Sequence, residues 1–226
     1  MSIWSRISDA LSALSAGEGL SAVFDKLRSP PERSVAFTIA VIALGAKMAK
    51  ADGRVTRDEV TAFREVFDIS AQDAAGAARV FNLARQDVTG FDDYARRIRA
   101  MFKGQPDTLR DLLEGLFHIA MADGFYHPNE NAFLEEVTRI FAVPEAEFNA
   151  LRMRFVPDAK HDPFTVLGVT PDTPLDDIRR AFRKLVRENH PDAVMARGVP
   201  QEALILAQNR MADINSAWEE IEARQT

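Results

Sequence analysis

Residues 178–189 bury their apolar side chains in only one regular form. Ile178, Ala181, Phe182, Leu185 and Asn189 recur at helical spacing on one side of a wheel, and Arg179, Arg180, Arg183, Lys184 and Arg187 fall on the other. Pro191 lacks an amide hydrogen and pushes the residue before it out of helical geometry, so the helix stops at His190-Pro191-Asp192. The result is a two-sided rod. One face serves a core, one cationic face meets water, and a stiff corner closes the end.

Most of the remaining chain also reads as helix. From Val35 to Ala46 the sequence is almost continuously apolar, broken only by Thr38 and Gly45. Its length, and Lys47 directly after it, predict a buried core helix rather than a membrane span. Further helices are expected near 57–67, 71–86, 91–103, 107–122, 128–141 and 145–154. Ser70 with Asp73 marks one helix start, and Pro144 in the first turn ahead of Glu145 and Glu147 marks another. No alternating run bounded by turns predicts a strand, so the expected fold class is all-α.

Residues 1–29 form a separate arm. Ile3, Trp4, Ile7, Leu11 and Leu14 repeat at helical spacing, and Gly17, Gly19 and Pro30-Pro31 set the segment apart. No apolar run reaches the roughly 18 residues of a spanning helix. The expected form is a short amphipathic helix packed on the body or on another subunit. Peripheral membrane attachment is the alternative, against which Arg6 is the only cation before Lys26.

Inside the helical region the chain repeats itself. Ala51-Asp52-Gly53-Arg54-Val55-Thr56-Arg57-Asp58-Glu59 lines up with Ala122-Asp123-Gly124-Phe125-Tyr126-His127-Pro128-Asn129-Glu130, and beyond them Phe63 matches Leu134 and Val66 matches Val137. Asp52, Glu59, Asp123 and Glu130 are candidate oxygen ligands for a hard divalent ion. A local account explains the same residues. Gly53 and Gly124 suit left-handed helix exits, Thr56 and Glu59 a capping box, and Pro128 and Glu130 the first turn of a helix. The local account is preferred, and it makes His127-Pro128-Asn129 a helix start, unlike His190-Pro191-Asp192.

Composition excludes several function classes. A net charge of −6 argues against a general nucleic-acid binder. Zero cysteines exclude disulfides and cysteine-ligated zinc. His118, His127, His161 and His190 show no metal-ligand spacing, and His118 lies on an apolar helix where a packed histidine is expected. There is no nucleophile elbow, phosphate loop or dinucleotide fingerprint. Neither an enzyme nor a cofactor is expected.

The C-terminal third resembles the J-domain of the DnaJ co-chaperone family. Asp162-Pro163-Phe164-Thr165-Val166-Leu167-Gly168-Val169 is similar to the family's short first helix with its glycine exit. Thr173 with Asp176, Asp177 and Ile178 is similar to the start of the second helix, and Ile214-Asn215-Ser216-Ala217-Trp218-Glu219-Glu220-Ile221 to the third. Ala193 stands where many J-domains place a lysine. The repeat region resembles the TerB-like, tellurite-resistance-associated helical domain, and the two together resemble the DjlA-like co-chaperones. Many of those begin with a membrane-spanning helix, which this sequence lacks, so membrane placement is not carried over.

The expected architecture is an arm at 1–29, a TerB-like helical bundle with an internal two-fold repeat at 30–156, and a small J-domain helical hairpin at 162–226. Pro157 and Pro163 bracket the link. The resemblance implies docking on a DnaK-type chaperone and stimulation of that partner's ATP hydrolysis. Arg179, Phe182, Arg183, Lys184 and Arg187 would supply the docking face. His190, Pro191 and Asp192 would supply the signal. From His161 onward the chain has 8 Lys/Arg against 11 Asp/Glu, so its positive charge is gathered on one helix face, as docking to an acidic surface requires. A client or adaptor would bind through the TerB-like domain or through a third protein. The expected location is the cytoplasm. The competing readings are a metal-responsive stress sensor built on the TerB-like domain, and a scaffold whose J-domain is only a fold.

Overall fold

The apolar run after Ser34 becomes the axle of the first domain. The computed structural model of the chain describes residues 3–4, 6–7, 33–51, 66–67, 69, 74–86, 90–156 and 162–224. Helix α1 (Arg33–Ala51) is longer than its apolar run, and every residue from Val35 to Ala49 is buried. Thr38 fits because its hydroxyl donates to the Ser34 carbonyl at 2.9 Å. Lys47 does not end the helix; its ammonium lies 5.1 Å from the Tyr94 ring centre, so it keeps a partner while its stem packs.

Around this axle lie α2 (Ala74–Gln86), α3 (Phe91–Met101), α4 (Pro106–Ala120) and α5 (Pro128–Phe141), each in contact with α1. Helix α6 (Glu145–Phe155) closes over α4, where Phe117 stacks on Phe155 with ring centres 5.8 Å apart. Ile3, Trp4 and Ile7 are buried in the same core, Trp4 edge-on to Phe67 at 6.2 Å. The rest of the arm, the first Asp-Gly copy at 52–65 and the link at 157–161 lie outside the described residues. Pro144 stands one position earlier than its sequence suggests, as the residue preceding α6 rather than within its first turn.

The C-terminal domain consists of α7 (Pro163–Val166), α8 (Leu175–Asn189), α9 (Pro191–Ala196), a short 3-10 turn (Gln201–Ala203) and α10 (Leu204–Arg224). No strand occurs among the described residues, and the protein is all-α. Leu167, Ile178, Ile214, Ala217 and Ile221 form a small core of their own. Val194, Val199, Ala203, Leu206 and Ala207, from the segment after the corner, are buried instead in the core of the first domain. Gly115 on α4 faces this approach, where a Cβ would lie in ordinary contact with Val41 at 3.5 Å and Leu206 at 3.7 Å, so α1, α4 and α10 meet closely around it.

Candidate functional site

The cationic rod is built from its first turn. Asp162 caps α7, its carboxylate accepting from the Thr165 amide at 3.0 Å and the Thr165 hydroxyl at 2.6 Å, and the hydroxyl bond holds its carboxyl below the usual value. Gly168 then turns the chain with φ of +67°, and the Val169 amide donates back to the Phe164 carbonyl at 2.9 Å. Asp176 and Asp177 stand in the first turn of α8, where the positive helix end favours them. Ile178 is fully buried, and Phe182 stacks on Trp218 of α10 with ring centres 5.1 Å apart. Phe182 therefore packs inward, away from the basic stripe it accompanies in sequence.

The other side of α8 is open. Arg179 and Arg180 pair with Asp176 and Asp177 one turn back, and Lys184 with Glu188 at 3.8 Å. These exposed pairs leave the face cationic and contribute little to stability. Arg183 and Arg187 are exposed and have no ion-pair partner among the described residues. Helix α8 ends at His190, whose backbone (φ −58°, ψ 139°) is extended. His190 Nδ1 accepts from the Asp192 amide at 3.3 Å. The His190 and Asp192 side chains are 57% and 81% exposed, so both can be reached by a partner. Pro191 both follows one helix and begins α9. The contrast drawn from sequence with Pro128 thus fails, since each proline occupies the first turn of a helix, where a missing amide hydrogen costs nothing.

Two family descriptions match the sequence: tellurite resistance protein TerB over residues 38–153, and the DnaJ domain over residues 162–225. The chain belongs to the TerB family and closes with a DnaJ domain. Among similar proteins, the co-chaperone protein DjlA of Escherichia coli strain K12 is 26% identical over 97% of each chain. The DjlA proteins of Vibrio parahaemolyticus and Photobacterium profundum are each 26% identical, over 87% and 84% of this chain and 80% and 78% of theirs. No solved structure matches the chain. Among the described residues no helix is long and apolar enough to cross a membrane.

The DnaJ domain is joined to the TerB domain by buried charges that sequence reasoning missed. Arg210 of α10 donates to Asp111 Oδ1 at 2.8 Å and to Asn189 Oδ1 at 2.6 Å, and also pairs with Glu114. Arg197 donates from Nε and Nη2 to Asp111 Oδ2 at 3.2 and 3.0 Å. Arg154 of α6 meets Glu114 Oε1 at 2.5 Å, an ion contact without hydrogen-bond alignment, and also pairs with Asp213. Burial pushes the Glu114 carboxyl up, but Arg210 and Arg154 together hold it below the ordinary value. Burial likewise opposes the Arg210 charge, and Glu114 and Asp111 more than restore it. A signal existed in the sequence. Asp111 and Glu114 interrupt the apolar stripe of α4, and Arg210 falls between Ala207 and Ile214 on the apolar side of α10.

At the described Asp-Gly copy, the local account matches the geometry. Gly124 has φ of +81°, and Glu130 accepts from the His127 amide at 2.9 Å, closing the first turn of α5. Asp123 accepts from the Phe125 amide at 2.9 Å and lies 3.2 Å from His127 Nε2. Among the described residues no group of three or more acidic, histidine or cysteine side chains is placed to hold a metal ion. Asp52 and Glu59 lie outside the described residues.

Proposed function

We propose that this protein is a co-chaperone that docks on a DnaK-type chaperone and stimulates its ATP hydrolysis through His190-Pro191-Asp192. The observation that carries the proposal is the continuity of two exposed features. Arg183 and Arg187, without an ion-pair partner among the described residues, lie on a helix that runs directly into an exposed His-Pro-Asp corner. A cationic face of this kind steers an acidic partner surface into register, and the corner then meets that surface in a fixed orientation. The DnaJ-domain match and the co-chaperone names of the relatives support the same reading. Arg179, Arg183, Lys184 and Arg187 supply the docking charge. Phe182 acts from behind, through its stack with Trp218, by holding α8 against α10.

The chain turns over no substrate of its own in this role. Its effect is to favour, on contact, the hydrolytic state of the partner. The test is single-turnover ATP hydrolysis by the DnaK-type chaperone of the same cell, with and without this protein. Acceleration that saturates with protein concentration is the expected result. An unchanged rate with every DnaK-type chaperone of that cell overturns the proposal.

A further inference from the structure

The last two residues before the corner are each held by an arginine that comes after it. The Glu188 carbonyl accepts from Arg197 Nη1 at 2.6 Å, and the Asn189 side-chain oxygen accepts from Arg210 Nη1 at 2.6 Å. Asn189 is itself fixed to α8, donating to the Leu185 carbonyl at 2.7 Å. The last turn of α8 therefore has one backbone carbonyl and one side-chain oxygen satisfied from beyond the corner. Nε and Nη2 of Arg197 and Nη2 of Arg210, which also pairs with Glu114, converge on Asp111 of the TerB domain, one carboxylate oxygen for each arginine, and Asp111 is 2% exposed. Thr108, one turn earlier on α4, donates to the Arg197 carbonyl at 3.1 Å. Between these ties, Val194, Val199 and Ala203 are sunk in the TerB core.

The network is a poor source of stability. Taking charged groups out of water costs about as much as their mutual attraction returns, and well-packed apolar side chains of similar volume serve folding at least as well. What the charges supply is direction, because a planar guanidinium fork meets a carboxylate in few geometries. We infer that the TerB domain sets the orientation of the His190-Pro191-Asp192 corner, with Asp111 as shared anchor and Arg197 and Arg210 as positioning residues; this rests on the co-chaperone reading above. Docking and signalling are then separable. The exposed face of α8 holds the partner, and the Asp111 anchor aims the corner at it.

The experiment compares the wild-type protein with Arg197→Ala and Arg197→Lys, the second keeping the charge and the stem but losing the fork. Affinity for the DnaK-type chaperone and maximal acceleration of its single-turnover hydrolysis are measured apart, at a temperature where all three proteins are folded by circular dichroism. For both variants the expected affinity stays within about twofold of wild type, the additivity expected of separate sites. The expected maximal acceleration falls by about tenfold or more, as for a reacting group moved by roughly an ångström. Amide exchange over residues 190–197 is expected to quicken. Full acceleration by both folded variants overturns the inference alone. So does a loss that merely follows the unfolded fraction and is recovered on cooling, since that is a structural role. A wild type that accelerates nothing overturns the proposed function, and this inference with it.

Discussion

His190, Pro191 and Asp192 are legible in sequence because they are contiguous and stop a helix by a mechanism any proline shares. Asp111, Arg197 and Arg210 are not, because 86 and 99 residues separate the partners. A lone charge in an apolar stripe reads as an irregularity until its opposite is placed beside it. Glu114 makes the point measurable. Its carboxyl titrates below 4.5 in the folded protein, so its stabilising effect is complete above that pH and is lost as pH falls through the lower folded value. Glu114→Gln is expected to cost about 3–5 kcal/mol at pH 7, because it leaves buried Arg210 partly uncompensated. Urea unfolding from pH 7 to pH 3 should show a steeper acid loss for wild type than for the variant. Arg183→Glu is the counterpart on the surface. It should change stability by no more than about 0.5 kcal/mol. It should still weaken binding to the DnaK-type chaperone, and the wild-type affinity should itself fall as salt screens exposed charge.

At the scale of elements, the helical pattern is readable across the described residues, since 3.6-residue periodicity and proline starts are local properties. Helix α5 has the bounds its sequence predicts, and α6 extends one residue further. Helix α1 continues past the apolar run that marks it in sequence, and there the Lys47 ammonium lies over the Tyr94 ring of another helix. Pro191 opens α9 because the next segment dives into the TerB core. The turn after α7 offers a clean test of local chemistry. A Cβ on Gly168 would meet nothing within 4 Å, so Gly168→Ala carries only the backbone penalty of φ +67°. That penalty is about 1–2 kcal/mol. Gly168→Asn should cost less, since asparagine tolerates the left-handed region. Denaturant midpoints of the two variants check the order.

As a whole molecule, the protein is less divisible than its two family matches imply. Sequence suggests a link bracketed by Pro157 and Pro163, but prolines do not reveal that the chain returns to its first core after the corner. Leu206 of the DnaJ domain lies in the TerB core beside Gly115. Leu206→Ala should therefore cost about 2–5 kcal/mol. It should lower one shared unfolding transition, seen by both calorimetry and near-ultraviolet circular dichroism, rather than melt the C-terminal domain alone. The same sharing leaves the outward side of α8 and the corner exposed. Asp192→Asn probes that surface most directly, because it keeps size and turn geometry at an 81% exposed side chain and removes only the charge. The measurement is single-turnover ATP hydrolysis by the cognate DnaK-type chaperone with wild type and with Asp192→Asn, both shown to be folded. Acceleration by wild type and none by the variant is the predicted result, and equal acceleration by the two would contradict the proposed role of His190-Pro191-Asp192.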